Sequence, residues 1–167
     1  MRINLTKKEI INSLYMQIGF SKNISEQLLE DILEIISLSD KYLESLYPPE
    51  SNHLVDVSEL LSDWFEFYLM REKSKTIGSI GISFKNFYPE IKRMFIKKEF
   101  RGMGYSYKLL DFIFDRCREL GHKKIQLETG INQPEAINVY EKYGFIRINP
   151  FNNYKEDPLS IFFEVNI

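Results

Sequence analysis

A short glycine-containing segment, RGMGYS at residues 101–106, joins a predicted strand to a strongly amphipathic predicted helix. Glycine has no Cβ atom, so the backbone at Gly102 and Gly104 can turn sharply and approach a ligand. The first N–H groups of the helix lack intrahelical partners, and the helix dipole adds positive potential there. Such an arrangement binds phosphate or pyrophosphate groups. The segment therefore predicts a phosphate-binding turn, with a plain strand-to-helix connection as the alternative.

Two common nucleotide-binding loops do not match this segment. A Walker A loop would continue with Gly-Lys-Ser/Thr, and a dinucleotide-binding fingerprint would need a third glycine and a second βαβ half. The sequence has neither feature around residues 101–106. A different class of phosphate-containing ligand is expected.

Strands and helices alternate around the segment, which indicates an α/β class and one domain over residues 1–167. Apolar periodicity predicts a helix from Ile24 to the pair Pro48-Pro49, with a break into two helices at 37–40. Less regular patterns suggest a strand over 2–6 and a helix over 9–18. The other predicted strands cover residues 64–69, 76–84, 89–97, 124–129, 145–148 and 159–165, and the other predicted helices run from 106 to Gly121 and over 134–142.

The strand over 89–97 leads directly into the glycine segment. Side chains alternate between the two faces of a strand. This alternation places Ile91, Arg93 and Phe95 on one face, and Met94 and Ile96 on the other.

Composition and charge limit the classes of partner. The chain has 22 basic and 24 acidic residues, a net charge of −2 that gives no support to nucleic-acid binding. One cysteine cannot form an internal disulfide or a multi-thiolate metal site, which favours a reducing compartment. No apolar run approaches the roughly 18 residues of a membrane span, and the first ten residues lack a signal-peptide core. A cytoplasmic protein with no membrane or nucleic-acid partner is expected.

The order of elements around this segment is a strand, RGMGYS, a helix, a strand, and a helix that ends in YGF. This order, together with three sequence motifs, resembles the central part of the GNAT superfamily of acetyl-CoA-dependent N-acetyltransferases. The superfamily's loop is Arg/Gln-x-x-Gly-x-Gly/Ala; Arg101 and Gly104 match, and Ser106 departs from it but is also small. AINVYEKYGF at 136–145 and EIKRMFI at 90–96 are similar to two further family segments. The resemblance covers about residues 76–148.

A narrower resemblance extends beyond these motifs. PPESNH at 48–53, ETG at 128–130, QPEA at 133–136 and DPLSIFFE at 157–164 resemble a bacterial subgroup of small-molecule-type GNAT proteins. The resemblance implies the GNAT fold: a mixed, mostly antiparallel, twisted sheet of six to seven strands flanked by about four helices.

The resemblance also implies acetyl-CoA as co-substrate, with no metal. Backbone N–H groups of the glycine segment would bind the pyrophosphate, and main-chain groups of the preceding strand would bind the pantetheine arm and polarise the thioester carbonyl. The residues assigned to coenzyme binding in this way are Met94, Phe95, Ile96, Arg101, Gly102, Met103, Gly104, Tyr105 and Ser106.

Two catalytic residues follow from the same resemblance. Glu90 would accept a proton from the amine through water, since an amine with a pKa near 10 must be deprotonated before it attacks. A salt-bridged strand-end glutamate is the alternative, and Glu128 or bulk water are competing bases. Tyr140 would protonate the departing thiolate, with a purely structural core aromatic as the alternative.

The remaining reactive residue types favour structural roles. Cys117 lies at the apolar spacing of its helix, so a buried structural thiol is expected rather than a nucleophile. His53 and His122 lack the neighbours that a metal site needs, and His122 is expected to be solvated.

The expected function is transfer of an acetyl group from acetyl-CoA to a primary amine of a small molecule, by direct attack in a ternary complex. A protein or peptide N-acetyltransferase is one alternative. A non-catalytic acyl-CoA sensor is another, which would keep residues 101–106 but would not need Glu90 or Tyr140. The identity of the acceptor stays open, and the aromatic-rich C-terminal strands could form a homodimer interface.

Overall fold

The computed structural model describes residues 22–49, 59–60 and 62–167. Their central element is a six-stranded sheet in the order β1-β2-β3-β4-β6-β5. The elements are α1 (Lys22–Glu44), β1 (Phe65–Glu72), β2 (Lys75–Ser83), β3 (Glu90–Ile96), α2 (Tyr105–Glu119), β4 (Lys124–Gly130), α3 (Pro134–Tyr143), β5 (Ile146–Ile148) and β6 (Ser160–Asn166). The strand predicted over 2–6 and the helix predicted over 9–18 lie outside the described residues.

The sheet is mixed and mostly antiparallel. Only β3 and β4 run parallel among the neighbouring pairs of described strands. With three described α-helices, this arrangement confirms the expected fold class. None of the described helices combines the length and the apolar character needed to cross a membrane.

The main hydrophobic core lies between the sheet and helices α2 and α3. Apolar residues of α2 and Tyr140 of α3 pack there on isoleucines and leucines of β2, β3 and β4. Helix α1 packs on β2 and β3, and its buried residues Leu29, Ile35 and Ile36 do not belong to this core. We therefore place α1 on the opposite face of the sheet.

The break predicted at residues 37–40 is wrong, because α1 is continuous through them. Ser39 is buried, and the Asp40 carboxylate forms an ion pair with Arg93 of β3. The polar residues that resembled a helix end thus include one buried side chain and one that binds the sheet.

A β-bulge in β3 changes which side chains share a face. Opposite β2, Ser79 pairs with Phe95 but Gly81 pairs with Lys92, so β3 contains one extra residue. Arg93 absorbs it with a left-handed φ of 55°. The prediction that Ile91 shares a face with Arg93 and Phe95 is consequently wrong: Ile91 and Ile96 both enter the main core, whereas Arg93 turns to α1.

Small residues of β2 accommodate this bulge. A Cβ at Gly78 would lie 2.7 Å from the carbonyl oxygen of Phe95, and one at Gly81 would lie 3.2 Å from the carbonyl oxygen of Lys92. The Ser79 hydroxyl donates a hydrogen bond of 3.1 Å to the carbonyl oxygen of Arg93. The glycines and the serine of TIGSIGIS thus let β2 approach the irregular part of β3.

Candidate active site

The first candidate cavity, which we call the helix-end cavity, has a volume of about 360 Å³ and lies between β3 and the start of α2 and α3. Residues assigned to coenzyme binding line it: Met94, Phe95, Ile96, Arg101, Gly102, Gly104, Tyr105 and Ser106. Met103 does not line it, and its side chain is exposed. The structure brings all the other assigned residues together, and their role in binding stays a prediction.

The glycine segment has the backbone geometry that an anion site needs. Gly102 and Gly104 adopt φ values of 76° and 78°, which only glycine adopts readily. Gly104 is the N-cap of α2, and the Lys108 N–H donates to its carbonyl oxygen at 3.3 Å. This is the first hydrogen bond of the helix, so the N–H groups of residues 105–107 have no acceptor within the helix.

Arg101 holds the segment in place. Its Nε donates a 3.0 Å hydrogen bond to the carbonyl oxygen of Ile96, and its guanidinium lies 4.7 Å from the centre of the Tyr42 ring. The arginine thus ties the loop to the end of β3 and to α1. Residues 97–108 carry four basic side chains and one acidic one, a balance that favours an anionic ligand.

The second cavity, which we call the strand-gap cavity, has a volume of about 120 Å³ and lies where β3 and β4 separate. The two parallel strands pair only at Glu90 with Gln126 and at Ile91 with Leu127. Beyond those pairs the strands separate, and side chains from both line the gap. Glu90, Glu128 and Tyr140, the three residues with predicted proton-transfer roles, all line this cavity.

Glu90 lies in a buried polar cluster and is only 3% exposed. Its Oε1 accepts a hydrogen bond of 2.6 Å from the Tyr154 hydroxyl and forms a 2.9 Å ion pair with Lys92. The Lys92 ammonium also donates to the Tyr154 hydroxyl at 2.9 Å. The structure therefore shows the salt-bridged glutamate that was the alternative for this position, although the carboxylate also borders the cavity.

Tyr154 and Tyr47 are cavity residues that sequence reasoning gave no role. Burial and the neighbouring Glu90 charge raise the pKa of Tyr154 well above the usual tyrosine value. Tyr47 is buried, and its hydroxyl accepts a 2.7 Å hydrogen bond from the backbone N–H of Asn132. Neither lies in a periodic element that points to the gap: Tyr47 follows α1, and Tyr154 lies in the loop before β6.

Tyr140 lies between the cavity and the core. It is 6% exposed, and its hydroxyl lies 3.7 Å from the sulfur of Met94. Its ring also packs against Phe145 and Phe163. Tyr140 is therefore a core aromatic, as the structural alternative expected, and it also borders the cavity. Burial, with a further contribution from the Glu128 charge, raises the pKa of Tyr140, so its hydroxyl keeps its proton near neutrality.

The two cavities adjoin each other. Both are lined by the same side chains from α1, β3 and the start of α3, namely Tyr42, Met94, Phe95, Gln133 and Ala136. A ligand that extends from the glycine segment along β3 would therefore reach the gap where Tyr140 and the two carboxylates lie.

The other reactive side chains lie elsewhere. Cys117 is fully buried, and burial raises the pKa of its thiol to about 12, which confirms a structural thiol. The expectation of a solvated His122 is wrong in part, because its ring stacks on Phe84 at 5.4 Å. His53 lies outside the described residues, within which no group of three His, Cys, Asp or Glu side chains could hold a metal ion.

Comparison with known proteins is consistent with this geometry. The sequence model of the Acetyltransferase (GNAT) family matches residues 30–145. The IAA acetyltransferase of Azospirillum brasilense is 39% identical over 142 residues, which cover 83% of this chain and 93% of that relative. The N-alpha-acetyltransferase 30 of Schizosaccharomyces pombe is 27% identical, with coverages of 78% and 85%. The structure of PaiA N-acetyltransferase from Thermoplasma acidophilum in complex with coenzyme A is similar in fold, with a TM-score of 0.65 at 16% identity over 83% of this chain and 92% of that one.

Proposed function

The chain belongs to the acetyltransferase (GNAT) family, and from that premise we propose that it transfers an acetyl group from acetyl-CoA to the primary amine of a small molecule, by direct attack in a ternary complex. The observation that carries this proposal is the junction of the two cavities at Met94, Phe95 and Ala136. Donor and acceptor could occupy adjoining sites at once, as direct transfer requires.

The helix-end cavity suits the coenzyme. A Cβ placed at Gly102 or Gly104 would meet no protein atom within 4 Å, so the backbone there opens to the cavity. The N–H groups at the start of α2 would bind the pyrophosphate. The main chain of β3 from Met94 to Ile96, which has no β4 partner in the observed register, would bind the pantetheine arm.

The strand-gap cavity supplies the groups that acetyl transfer needs. A backbone N–H of β3 near the Arg93 bulge would stabilise negative charge on the thioester oxygen. The Tyr140 hydroxyl would protonate the thiolate as it leaves. One of two carboxylates, Glu90 or Glu128, would take the proton that the amine loses.

The size of the strand-gap cavity favours a small acceptor over a peptide. Its volume is about 120 Å³, and Tyr47 and Tyr154 form part of its wall. A peptide N-terminus would need an extended groove that leads to the same point. Because the chain is similar to an N-alpha-acetyltransferase, the test below also includes peptide acceptors.

Thiol release from acetyl-CoA, measured with a panel of small primary amines and short peptides, tests the proposal. Tyr140→Phe should lower kcat about 100-fold with at least one small amine and leave acetyl-CoA affinity unchanged. Tyr143→Phe is the matched control, because it lies on the same helix and its hydroxyl bonds to Asp111 away from both cavities.

Three results would contradict the proposal. Turnover with peptides alone would replace the small-molecule acceptor. Binding of acetyl-CoA with no turnover on any acceptor would favour the sensor alternative. An equal loss of activity in Tyr140→Phe and Tyr143→Phe would leave Tyr140 with only its packing role.

A further inference from the structure

The strand-gap cavity holds two carboxylates in different surroundings, and this difference separates their roles. We propose that Glu128, rather than Glu90, binds the ammonium group of the acceptor and takes its proton, and that Glu90 is a positioning residue. This inference rests on the proposed function, which it deepens by naming the group that selects the acceptor.

Glu90 is engaged within the protein. Lys92 and Tyr154 both contact the same oxygen, Oε1, and the side chain is almost fully buried. The Lys92 ammonium lies 2.9 Å from this oxygen, so the negative charge of Glu90 already has a cationic partner within the protein. Removing the Glu90 charge would leave the Lys92 ammonium half-buried beside Tyr154. Glu90 therefore fixes the wall of the cavity that Tyr154 and Lys92 form.

Glu128 lies among tyrosines from three separate parts of the chain. It shares a face of β4 with Gly130, because alternate residues of a strand point the same way. The Tyr47 ring lies directly over Gly130. Tyr140 and Tyr154 complete the cavity wall around the carboxylate.

The electrostatic effect of Glu128 reaches all three rings. Burial raises the pKa of Tyr47, Tyr140 and Tyr154, and the negative charge of Glu128 adds to the rise in each. The carboxylate itself is only half-buried, and its Oε1 accepts a 2.7 Å hydrogen bond from the Ser160 hydroxyl. A carboxylate that is oriented in this way and surrounded by aromatic rings is a recognition site for an ammonium group.

The transfer then balances as follows. The acceptor enters as an ammonium ion and gives one proton to the Glu128 carboxylate. The freed nitrogen lone pair forms a bond to the acetyl carbonyl carbon, and the carbon–sulfur bond breaks with its electron pair on sulfur. Tyr140 gives its proton to that thiolate, the second nitrogen proton restores Tyr140, and Glu128 releases its proton to solvent. The products are an N-acetylated amine, free coenzyme thiol and one proton.

The chemical class of the acceptor follows from this site. A compact molecule with an aliphatic amine, protonated near neutral pH, fits a small cavity that ends in a carboxylate and aromatic rings. Alcohols of the same shape would lack the charge that Glu128 recognises.

Ligand-observed NMR with butylamine and 1-butanol as probes tests the inference without any need for turnover. We expect wild type to bind butylamine about 10- to 100-fold more tightly than 1-butanol, the range typical of a hydrogen-bonded charge. Glu128→Gln should abolish that preference, and Glu128→Asp should keep part of it. Glu90→Gln should keep it, as should the exposed control Glu119→Gln.

Kinetics with an amine that wild type acetylates give the second readout. Glu128→Gln should lower kcat/KM about 100-fold at unchanged acetyl-CoA affinity. Glu90→Gln should act mainly on the KM of the amine.

The inference is overturned if wild type shows no preference for butylamine, or if Glu90→Gln loses the preference and Glu128→Gln keeps it. The proposed function fails separately, if acetyl-CoA neither raises the melting temperature of wild type nor supports thiol release. Thermal unfolding of each variant confirms that it is folded before the probes are compared.

Discussion

Gly130 offers a direct test of how the wall of the strand-gap cavity is built. A Cβ at this position would overlap the Cζ and hydroxyl oxygen of Tyr47 and lie 2.8 Å from its Cε1. Tyr47 is 6% exposed, and its hydroxyl accepts a hydrogen bond from the Asn132 N–H. Gly130→Ala must therefore displace the ring and lengthen or break that hydrogen bond.

The magnitude follows from these two effects. Overpacking by one methyl group costs about 1–3 kcal/mol, and the hydrogen bond to Asn132 contributes about 1 kcal/mol. The free energy of unfolding should fall by about 2–4 kcal/mol in Gly130→Ala. Because Tyr47 lines the acceptor cavity, the KM of the amine should rise while acetyl-CoA affinity stays unchanged.

A double-mutant cycle with Tyr47→Leu isolates the contact. Leucine lacks the distal ring atoms, so the double variant should be no less stable than Tyr47→Leu alone, and the coupling energy should be about 2–4 kcal/mol. Urea denaturation measures each free energy, with equal m-values as the check on two-state unfolding. Additive losses in the double variant would show that Gly130 is required for a reason other than the Tyr47 ring.

Further predictions concern the glycine segment, the cysteine and a surface ion pair. Gly104→Ala should lose about 1–2 kcal/mol of stability through its left-handed φ and should weaken acetyl-CoA binding in calorimetry. Gly121→Ala, with a φ of 83° and equally open surroundings at the other end of the helix, should lose similar stability and bind acetyl-CoA normally. Cys117→Ala should lose about 1–2 kcal/mol and keep its turnover, and mass spectrometry should find no acetyl group on the wild-type thiol. The hydrogen bonds from Arg116 hold the pKa of Glu66 below its usual value of 4.5. This ion pair therefore stabilises the fold fully above pH 4.5, and its stabilisation is lost as the pH falls through the lowered pKa. The difference in unfolding free energy between wild type and Glu66→Gln should therefore be largest near neutral pH and shrink in acid, and a constant difference would exclude this linkage.

Local patterns were sufficient for the turn and the helix ends that border the helix-end cavity, whereas its coenzyme-binding residues were assigned from the family resemblance. The two glycines at 102 and 104, the apolar stripe of α2 and the terminal Gly144 of α3 each act within a few residues of their own position. A turn, a helix start and a helix stop are therefore readable from sequence.

The strand-gap cavity was less predictable because its geometry depends on distant contacts. Strict alternation in β3 fails at Arg93, where an extra residue is held by Ser79 of β2 and Asp40 of α1. Tyr47 and Tyr154 reach the gap from the end of α1 and from the loop before β6, more than 100 residues apart in sequence. Nothing local marks these side chains as neighbours, and the ion pair that engages Glu90 is visible only once the strand is folded.

The initial-velocity pattern with acetyl-CoA and an accepted amine varied against each other tests the central claim most directly. If the adjoining cavities bind both substrates together, thiol release depends on a ternary complex. The double-reciprocal lines should then intersect, and thiol release should require the amine. Parallel lines would show an acetylated enzyme intermediate and contradict direct transfer across the gap between β3 and β4.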